Sequence, residues 1–315
     1  MRAIGHGSAA ASSHTEAVLG CAPDMAVPVR DAATVMLVRD GPDGVEVYML
    51  ERNSRLGFLG GAHVFPGGAV DEADSAEELD ARLSGFESRE AAQRLGAGDD
   101  SRARGFYVAA LRELFEEAGI LLARTPGGPV IDPEGRDEMR GRLVGYRQEL
   151  LQGEAEFAAL LADEGLALDC DALSYLGHWV TPEPSPKRFD TRFFIARMPE
   201  AQRAQQVHGE LTAEVWLRPR AALDAFASGE IQMVPPTICS LDWLDLHPTV
   251  ESAMTAAEQL EVVTVQPRIA VRDGDLTLLY DDDEGYEGHW ARQVESGRML
   301  ERLVLRDGTW VKPRR

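Results

Sequence analysis

One helical segment limits the fold more than any other part of the chain. Residues 102–119 read RARGFYVAALRELFEEAG, and a helical repeat of about 3.6 residues separates its second half into two faces. The apolar face carries Leu111, Leu114, Phe115 and Ala118. The other face carries Arg112, Glu113, Glu116 and Glu117. A helix with these faces packs on a sheet or on other helices, and Gly119 is placed to end it at the C′ position.

The three glutamates of this helix fall within five positions, so their carboxylates share a small volume. Like charges at this spacing repel by roughly a few tenths of a kcal/mol per pair. A hard divalent cation binds several carboxylate oxygens at once and removes that repulsion. Arg112 can orient one carboxylate through a charge-assisted hydrogen bond. We therefore predict a Mg²⁺ or Mn²⁺ site at Glu113, Glu116 and Glu117, against the alternative of a solvated acidic face.

Strand and helix patterns alternate along the rest of the chain. Residues 33–52 contain two β-rich runs around a Gly/Pro/Asp turn, which predicts a hairpin. At Pro66 and Gly67 the pattern predicts a type II turn, whose second central residue needs a positive φ. Helical patterns dominate 134–164, and strand patterns follow from residue 173 onwards. The alternation predicts an α/β layered domain, and the short connections predict a mixed sheet.

Composition excludes several classes of protein. Acidic residues number 53 and basic residues 32, for a net charge of −21, whereas a general nucleic-acid binder shows a basic face. The same charge repels anionic substrates, so a phosphate site here needs metal ions or arginine. Cys21, Cys170 and Cys239 lack disulfide or zinc spacing, which favours a reducing, cytoplasmic setting. Apolar runs stay well short of the roughly 18–20 residues that cross a bilayer, so we expect no membrane partner.

The order of residues in the acidic helix resembles the signature of the Nudix hydrolases. RELFEEAGI matches the second half of the family pattern, Arg-Glu-apolar-x-Glu-Glu-x-Gly-apolar, at every position. The first half of the pattern corresponds to Gly68 followed by Asp74, where the family has Gly and Glu. Residues 75–111 separate Asp74 from Arg112, so an insertion splits the pattern. The resemblance implies an α/β/α sandwich with a mixed sheet, a large insertion and a C-terminal extension.

The segment before the split pattern resembles the additional signature of Nudix enzymes that act on coenzyme A. It runs LERNSRLGFLGGAHVFPGG and includes Arg52, Arg55 and Phe65, which this resemblance marks as substrate-binding candidates. Arg188, in the basic stretch 187–192, is a further candidate because a guanidinium fork suits phosphate. The alternative for 187–192 is a surface strand edge with snorkelling arginines.

The resemblance implies hydrolysis of the diphosphate of coenzyme A or acyl-coenzyme A, giving 3′,5′-ADP and (acyl-)4′-phosphopantetheine. It assigns Glu113, Glu116, Glu117 and the Gly68 carbonyl to the metal and Arg112 to orienting a glutamate. Glu210 is the candidate general base, with Glu214 as the alternative. A second reading keeps the chemistry and changes the substrate to ADP-ribose, NADH or a nucleotide sugar. A third is a Nudix-like binding module without catalysis.

The sequence predicts three regions. Residues 1–27 are expected to form a flexible tail. Residues 28–245 are expected to form the hydrolase domain, with its insertion at about 75–104. Residues 246–315 are expected to pack on that domain as an extension, where they cap the cleft, cover the sheet or form a homodimer interface.

Overall fold

The computed structural model describes residues 27–53, 60–133, 136–183, 185–205, 211–272, 275–279, 304–306 and 309–311. The strands are β1 (Val29–Gly41), β2 (Gly44–Arg52), β3 (His63–Val64), β4 (Gly67–Ala69), β5 (Leu83–Ser84), β6 (Ala123–Arg124), β7 (Ala167–Asp169), β8 (Ser174–Val180), β9 (Arg188–Arg197), β10 (Leu211–Leu217), β11 (Thr264–Val265), β12 (Arg268–Arg272), β13 (Asp275–Leu279), β14 (Val304–Arg306) and β15 (Thr309–Val311). The helices are α1 (Ser88–Leu95), α2 (Asp100–Ala118), α3 (Asp137–Gln152), α4 (Phe157–Asp163), α5 (Pro219–Ser228), α6 (Pro235–Leu244) and α7 (Val250–Glu258). Short 3-10 turns span Glu72–Ser75, Glu77–Arg82 and Cys170–Ala172.

The main sheet has the strand order β10-β2-β1-β9-β8-β11, with β3 attached to β2 and β4 to β1. Strands β1 and β9 run parallel, as do β8 and β11, and the remaining pairs of this sheet are antiparallel. The predicted mixed sheet is therefore confirmed. Because β9 lies between β1 and β8, the reading of residues 187–192 as a strand edge is wrong.

The first two strands separate along part of their length, and the segment that fills the gap between them contributes to the functional site. Next to their turn they pair directly, from Val38↔Val47 to Gly41↔Gly44. Further along, β3 pairs with β2 and β4 pairs with β1, so residues 63–69 lie between the separated strands. At the apex the backbone N–H of Val35 donates to the carbonyl of Pro66 at 2.8 Å.

The predicted type II turn at Pro66 and Gly67 is wrong. Gly67 begins β4 and its φ lies outside the left-handed region. Space is what requires glycine there. A Cβ at Gly67 would lie 2.5 Å from the Ala33 carbonyl oxygen and 2.7 Å from the Cα of Thr34.

Two apolar cores lie on opposite faces of the sheet. Side chains of a strand alternate between faces, so Val35 and Leu37 enter one core and Met36 and Val38 the other. Helices α1 to α4 cover the first core, and α5 to α7 cover the second. The predicted α/β/α sandwich is confirmed.

A charged cluster fixes the first turn of α2 over the sheet. Asp99 caps the helix by accepting from the N–H of Arg102 at 2.8 Å. The Arg102 guanidinium donates to Asp31 of β1 at 2.6 Å and to Asp190 of β9 at 2.8 Å. Asp190 also pairs with the fully buried Arg192 and with His178. Burial opposes ionisation of Asp190, but the His178 hydrogen bond and the arginine charges prevail and hold the pKa of its carboxyl below the ordinary value.

Asp190→Asn is expected to lower the free energy of unfolding by about 3 kcal/mol, because it leaves buried Arg192 without its carboxylate. Urea unfolding checks this value. The matched control is Asp137→Asn, whose ion pair with Arg140 is exposed and should contribute well under about 1 kcal/mol. Equal effects of the two substitutions would contradict the role of Asp190 as the carboxylate partner of buried Arg192.

Residues after 245 extend the sandwich. Helix α7 packs into the second core, and β11 adds to the edge of the main sheet beside β8. Strands β12 to β15 form a separate four-stranded sheet, in which β14 and β15 pair antiparallel. The boundaries at 27 and 245 stay predictions, and residues 1–26 lie outside the described part. Among the helices described, none is long and apolar enough to cross a membrane.

Candidate active site

The acidic helix α2 has the two faces that its sequence predicts. Its apolar face is buried, with Leu111 and Leu114 at 0 % exposure. The helix ends at Ala118, and Gly119 follows in the left-handed conformation with φ 71°. The acidic face of its last two turns meets β4, which lies in the gap between the first two strands, and the 3-10 turn Glu72–Ser75, which follows β4.

Arg112 lies at the centre of the acidic face. Its guanidinium donates to both oxygens of Asp74, each at 2.9 Å. It also donates to Glu113 at 2.9 Å and to Glu116 at 3.2 Å. A further bond reaches the carbonyl of Ala69 at 3.0 Å. Burial opposes the charge of Arg112, but these acceptors prevail and raise its pKa, so one arginine holds three carboxylates in place.

The bond between Arg112 and Asp74 closes the insertion that splits the signature. Asp74 is 2 % exposed and Arg112 is 7 % exposed, so this is a buried ion pair. The chain between them forms the 3-10 turn Glu77–Arg82, β5, α1 and the first half of α2 before it returns. The aspartate at the family's glutamate position therefore meets the arginine despite the long intervening segment.

Glu117 and Glu113 face the glycines of the gap. The N–H of Gly67 donates to Glu117 at 2.9 Å. Burial, followed by the charge of Glu113, raises the pKa of Glu117 to about 8. Burial likewise raises the pKa of Glu113 to about 7, although Arg112 opposes this. In the absence of a bound cation, both carboxyls therefore favour the protonated form more than an exposed glutamate does.

Gly68→Ala tests the close approach of β4 to the helix. A Cβ at Gly68 would lie 2.3 Å from Oε1 of Glu113, so the carboxylate has to move. We expect turnover to fall by at least about tenfold, since displacements of about 1 Å cost up to about a hundredfold. Steady-state kinetics measure the loss. Gly145→Ala on α3 is the control, because a Cβ there meets nothing within 4 Å. Equal activity of both variants would show that Glu113 tolerates displacement.

The donors of this site fit a divalent cation. They are the carboxylate oxygens of Glu113, Glu116 and Glu117, which hard cations prefer. In the described part of the chain, no three His, Cys, Asp or Glu side chains already converge as a metal cage. Magnesium does not require one, because it typically takes one or two carboxylates and completes its shell with water and substrate phosphates.

The structure brings some of the predicted substrate residues to the site and not others. Arg52, at the end of β2, lies close enough to Glu117 for its charge to oppose the rise of the Glu117 pKa. Arg188 is 9 % exposed and its Nε donates to the carbonyl of Thr181 at 3.1 Å. Phe65 is 3 % exposed and belongs to the second core. Arg55 and Glu210 lie outside the described residues.

Two residues of the site were absent from the sequence prediction. Tyr48, fully buried on β2, donates from its hydroxyl to Glu214 of β10 at 2.7 Å. Arg147 of α3 donates to the backbone carbonyl of Glu116 at 2.9 Å. Tyr48 appears in the sequence as an ordinary strand core residue. Arg147 is one of several arginines on a charged helix, so neither carried a distinguishing signal.

Known proteins are similar to this chain in sequence and in fold. The family described as the NUDT19 Nudix domain matches residues 29–244. The acyl-coenzyme A diphosphatase NUDT19 of Homo sapiens is 30% identical over 281 residues, 76% of this chain and 74% of its own. The Gallus gallus protein of the same name is 29% identical, over 87% of this chain and 86% of its own. A crystal structure of a Nudix hydrolase from Alicyclobacillus acidocaldarius is 34% identical with a TM-score of 0.59, covering 73% of this chain and 96% of its own. The chain therefore belongs to the NUDT19 Nudix family, which confirms the resemblance read from its acidic helix.

Proposed function

We propose that this protein hydrolyses the diphosphate linkage of coenzyme A or acyl-coenzyme A, releasing 3′,5′-ADP and (acyl-)4′-phosphopantetheine. One observation carries the proposal: Arg112 gathers Asp74, Glu113 and Glu116 at the end of α2, against the glycines of the gap. The relatives named acyl-coenzyme A diphosphatase support the choice of substrate.

Glu113, Glu116, Glu117 and the Gly68 carbonyl would hold Mg²⁺ or Mn²⁺. When bound, such ions neutralise the non-bridging phosphate oxygens and activate a water for in-line attack. The protein's own contribution is positional. Arg112 fixes Glu113 and Glu116, and the N–H of Gly67 fixes Glu117, so the ligands need little rearrangement when substrate arrives.

Arg52 is the substrate contact that the geometry supports best. Its charge acts on Glu117, so a phosphate bound at the metal site would lie within the field of this arginine. Arg188 and Phe65 are more buried and are expected to support the sheet around the site. For the general base, Glu210 stays a prediction, and Glu214 is held by the Tyr48 hydroxyl on the sheet face that bears α2.

A substrate panel tests the proposal. The purified protein is incubated with Mg²⁺ or Mn²⁺ and with coenzyme A, an acyl-coenzyme A, ADP-ribose or NADH, and products are separated by chromatography. We expect 3′,5′-ADP from the coenzyme A compounds and none after chelation of the metal. Turnover of ADP-ribose or NADH alone would support diphosphate hydrolysis and contradict coenzyme A as the substrate. No turnover in any arm would favour a binding module.

We also infer a cytoplasmic setting and a homodimer as the state to test. Cys170 is a free, buried cysteine, which suits a reducing compartment. Light scattering of the purified protein measures its mass against the 34.4 kDa of one chain.

A further inference from the structure

Arg147 is a buried cation that contacts the backbone of α2, the helix that carries the proposed metal ligands. It lies on α3 and is 7 % exposed. Its Nε donates to the backbone carbonyl of Glu116 at 2.9 Å, and its Nη1 donates to the carbonyl of Gln205 at 2.6 Å. The N–H of Gln205 in turn donates to the carbonyl of Ala118 at 2.8 Å. One guanidinium thus holds the last turn of α2 to a second segment of the chain.

The Nε of Arg147 satisfies one of the carbonyls that the end of α2 leaves open, that of Glu116. The last four carbonyls of an α-helix have no partner within the helix, and a cation near them also interacts favourably with the helix dipole. The turn in question carries Glu116 and Glu117, whose side chains face the site. A bond to the Glu116 backbone therefore fixes the height and rotation of both carboxylates.

The third nitrogen of Arg147 shows that the position is costly. Its Nη2 is buried and has no hydrogen-bond partner among the residues that the structure describes. A buried donor without a partner costs about 1–3 kcal/mol, which offsets part of the stability that the other two bonds of Arg147 contribute. The charged groups around it include Glu117 and Glu214, with the Tyr48 hydroxyl nearby. Burial lowers the pKa of Arg147, and these groups counteract that effect.

Taken together, the contacts point to a positioning role, and we propose that Arg147 holds the last turn of α2 in the geometry that binds the divalent cation. The inference rests on the proposed function, since it presumes that Glu116 and Glu117 bind metal. It adds a residue outside the signature, from a helix that contributes no ligand. A partner that orients a metal ligand from outside is typically worth about 10–100-fold in metal affinity or activity.

The test measures Mn²⁺ binding by electron paramagnetic resonance of the free protein, so its readout is independent of turnover. Arg147→Met and Arg147→Lys are compared with the wild type. Both should raise the dissociation constant for Mn²⁺ by about tenfold or more, because a lysine ammonium replaces the charge but not the two-pronged contact. The lysine variant keeps the test informative if the methionine variant does not fold.

Arg192→Met is the matched control. Arg192 is also a buried arginine, and its Nε donates to the carbonyl of Leu95 at the end of α1, a helix without proposed ligands. It should lose stability and keep the wild-type affinity for Mn²⁺. If the Arg147 variants lose stability and still bind Mn²⁺ as the wild type does, the positioning role is overturned. Failure of the wild type to bind Mn²⁺ would instead refute the metal site of the proposed function.

Discussion

Glu117→Gln should reduce turnover by about a thousandfold while the protein stays folded. The amide oxygen of glutamine can still accept the hydrogen bond that Gly67 donates at 2.9 Å, so the local shape is kept. What disappears is the negative charge. Metal ions supply several kcal/mol of charge stabilisation to such reactions, and each 1.36 kcal/mol lost corresponds to a factor of about ten in rate.

The stability of this variant separates a metal ligand from a structural acid. Burial and the charge of Glu113 both disfavour the ionised form of Glu117. Removing that charge should therefore leave the free energy of unfolding unchanged or raise it slightly. Single-turnover kinetics on acyl-coenzyme A and urea unfolding give the two values. Glu251→Gln, at an exposed ion pair with Arg197, is the control and should change neither. Wild-type turnover by Glu117→Gln would remove Glu117 from the metal site.

Helix α2 could be predicted from sequence because its signals are local. Its apolar face has a clear helical period, and Gly119 ends it where the left-handed conformation is needed. The charged face follows directly from the same period. Strands β1 and β2 could be predicted equally well, since their apolar runs flank a short turn. In each case the decisive neighbours lie within a few residues along the chain.

The parts that escaped prediction depend on contacts between distant segments. The reason for glycine at position 67 is the backbone of Ala33 and Thr34, which no local turn rule contains. Phe65 lies in a signature associated with substrate, yet the separation of β1 and β2 directs its ring into the second core. Arg147 reaches Glu116 across 31 positions of sequence. Only the folded chain shows which arginine of α3 does so.

The ion pair between Asp74 and Arg112 connects two residues of the sequence signature that only the folded chain brings together. Breaking it is expected to have the second large effect. Asp74→Asn should lower the free energy of unfolding by about 3 kcal/mol, because it breaks a buried ion pair with two hydrogen bonds of 2.9 Å. It should also lower turnover of the folded fraction, since Arg112 then holds Glu113 and Glu116 less firmly. Urea unfolding and kinetics on the soluble fraction measure both losses.

Asp74→Glu separates the charge at this position from the space around it. The general Nudix signature has glutamate here, but in this chain the side chain comes from a 3-10 turn and is 2 % exposed. The extra methylene should cost about 1–3 kcal/mol through overpacking, while the carboxylate still binds Arg112. We therefore expect Asp74→Glu to lose stability and keep most turnover, whereas Asp74→Asn loses both. If the two variants lost turnover equally, the length of the side chain at position 74 would matter as much as its charge. The ion pair alone would then not explain how Glu113 and Glu116 are positioned.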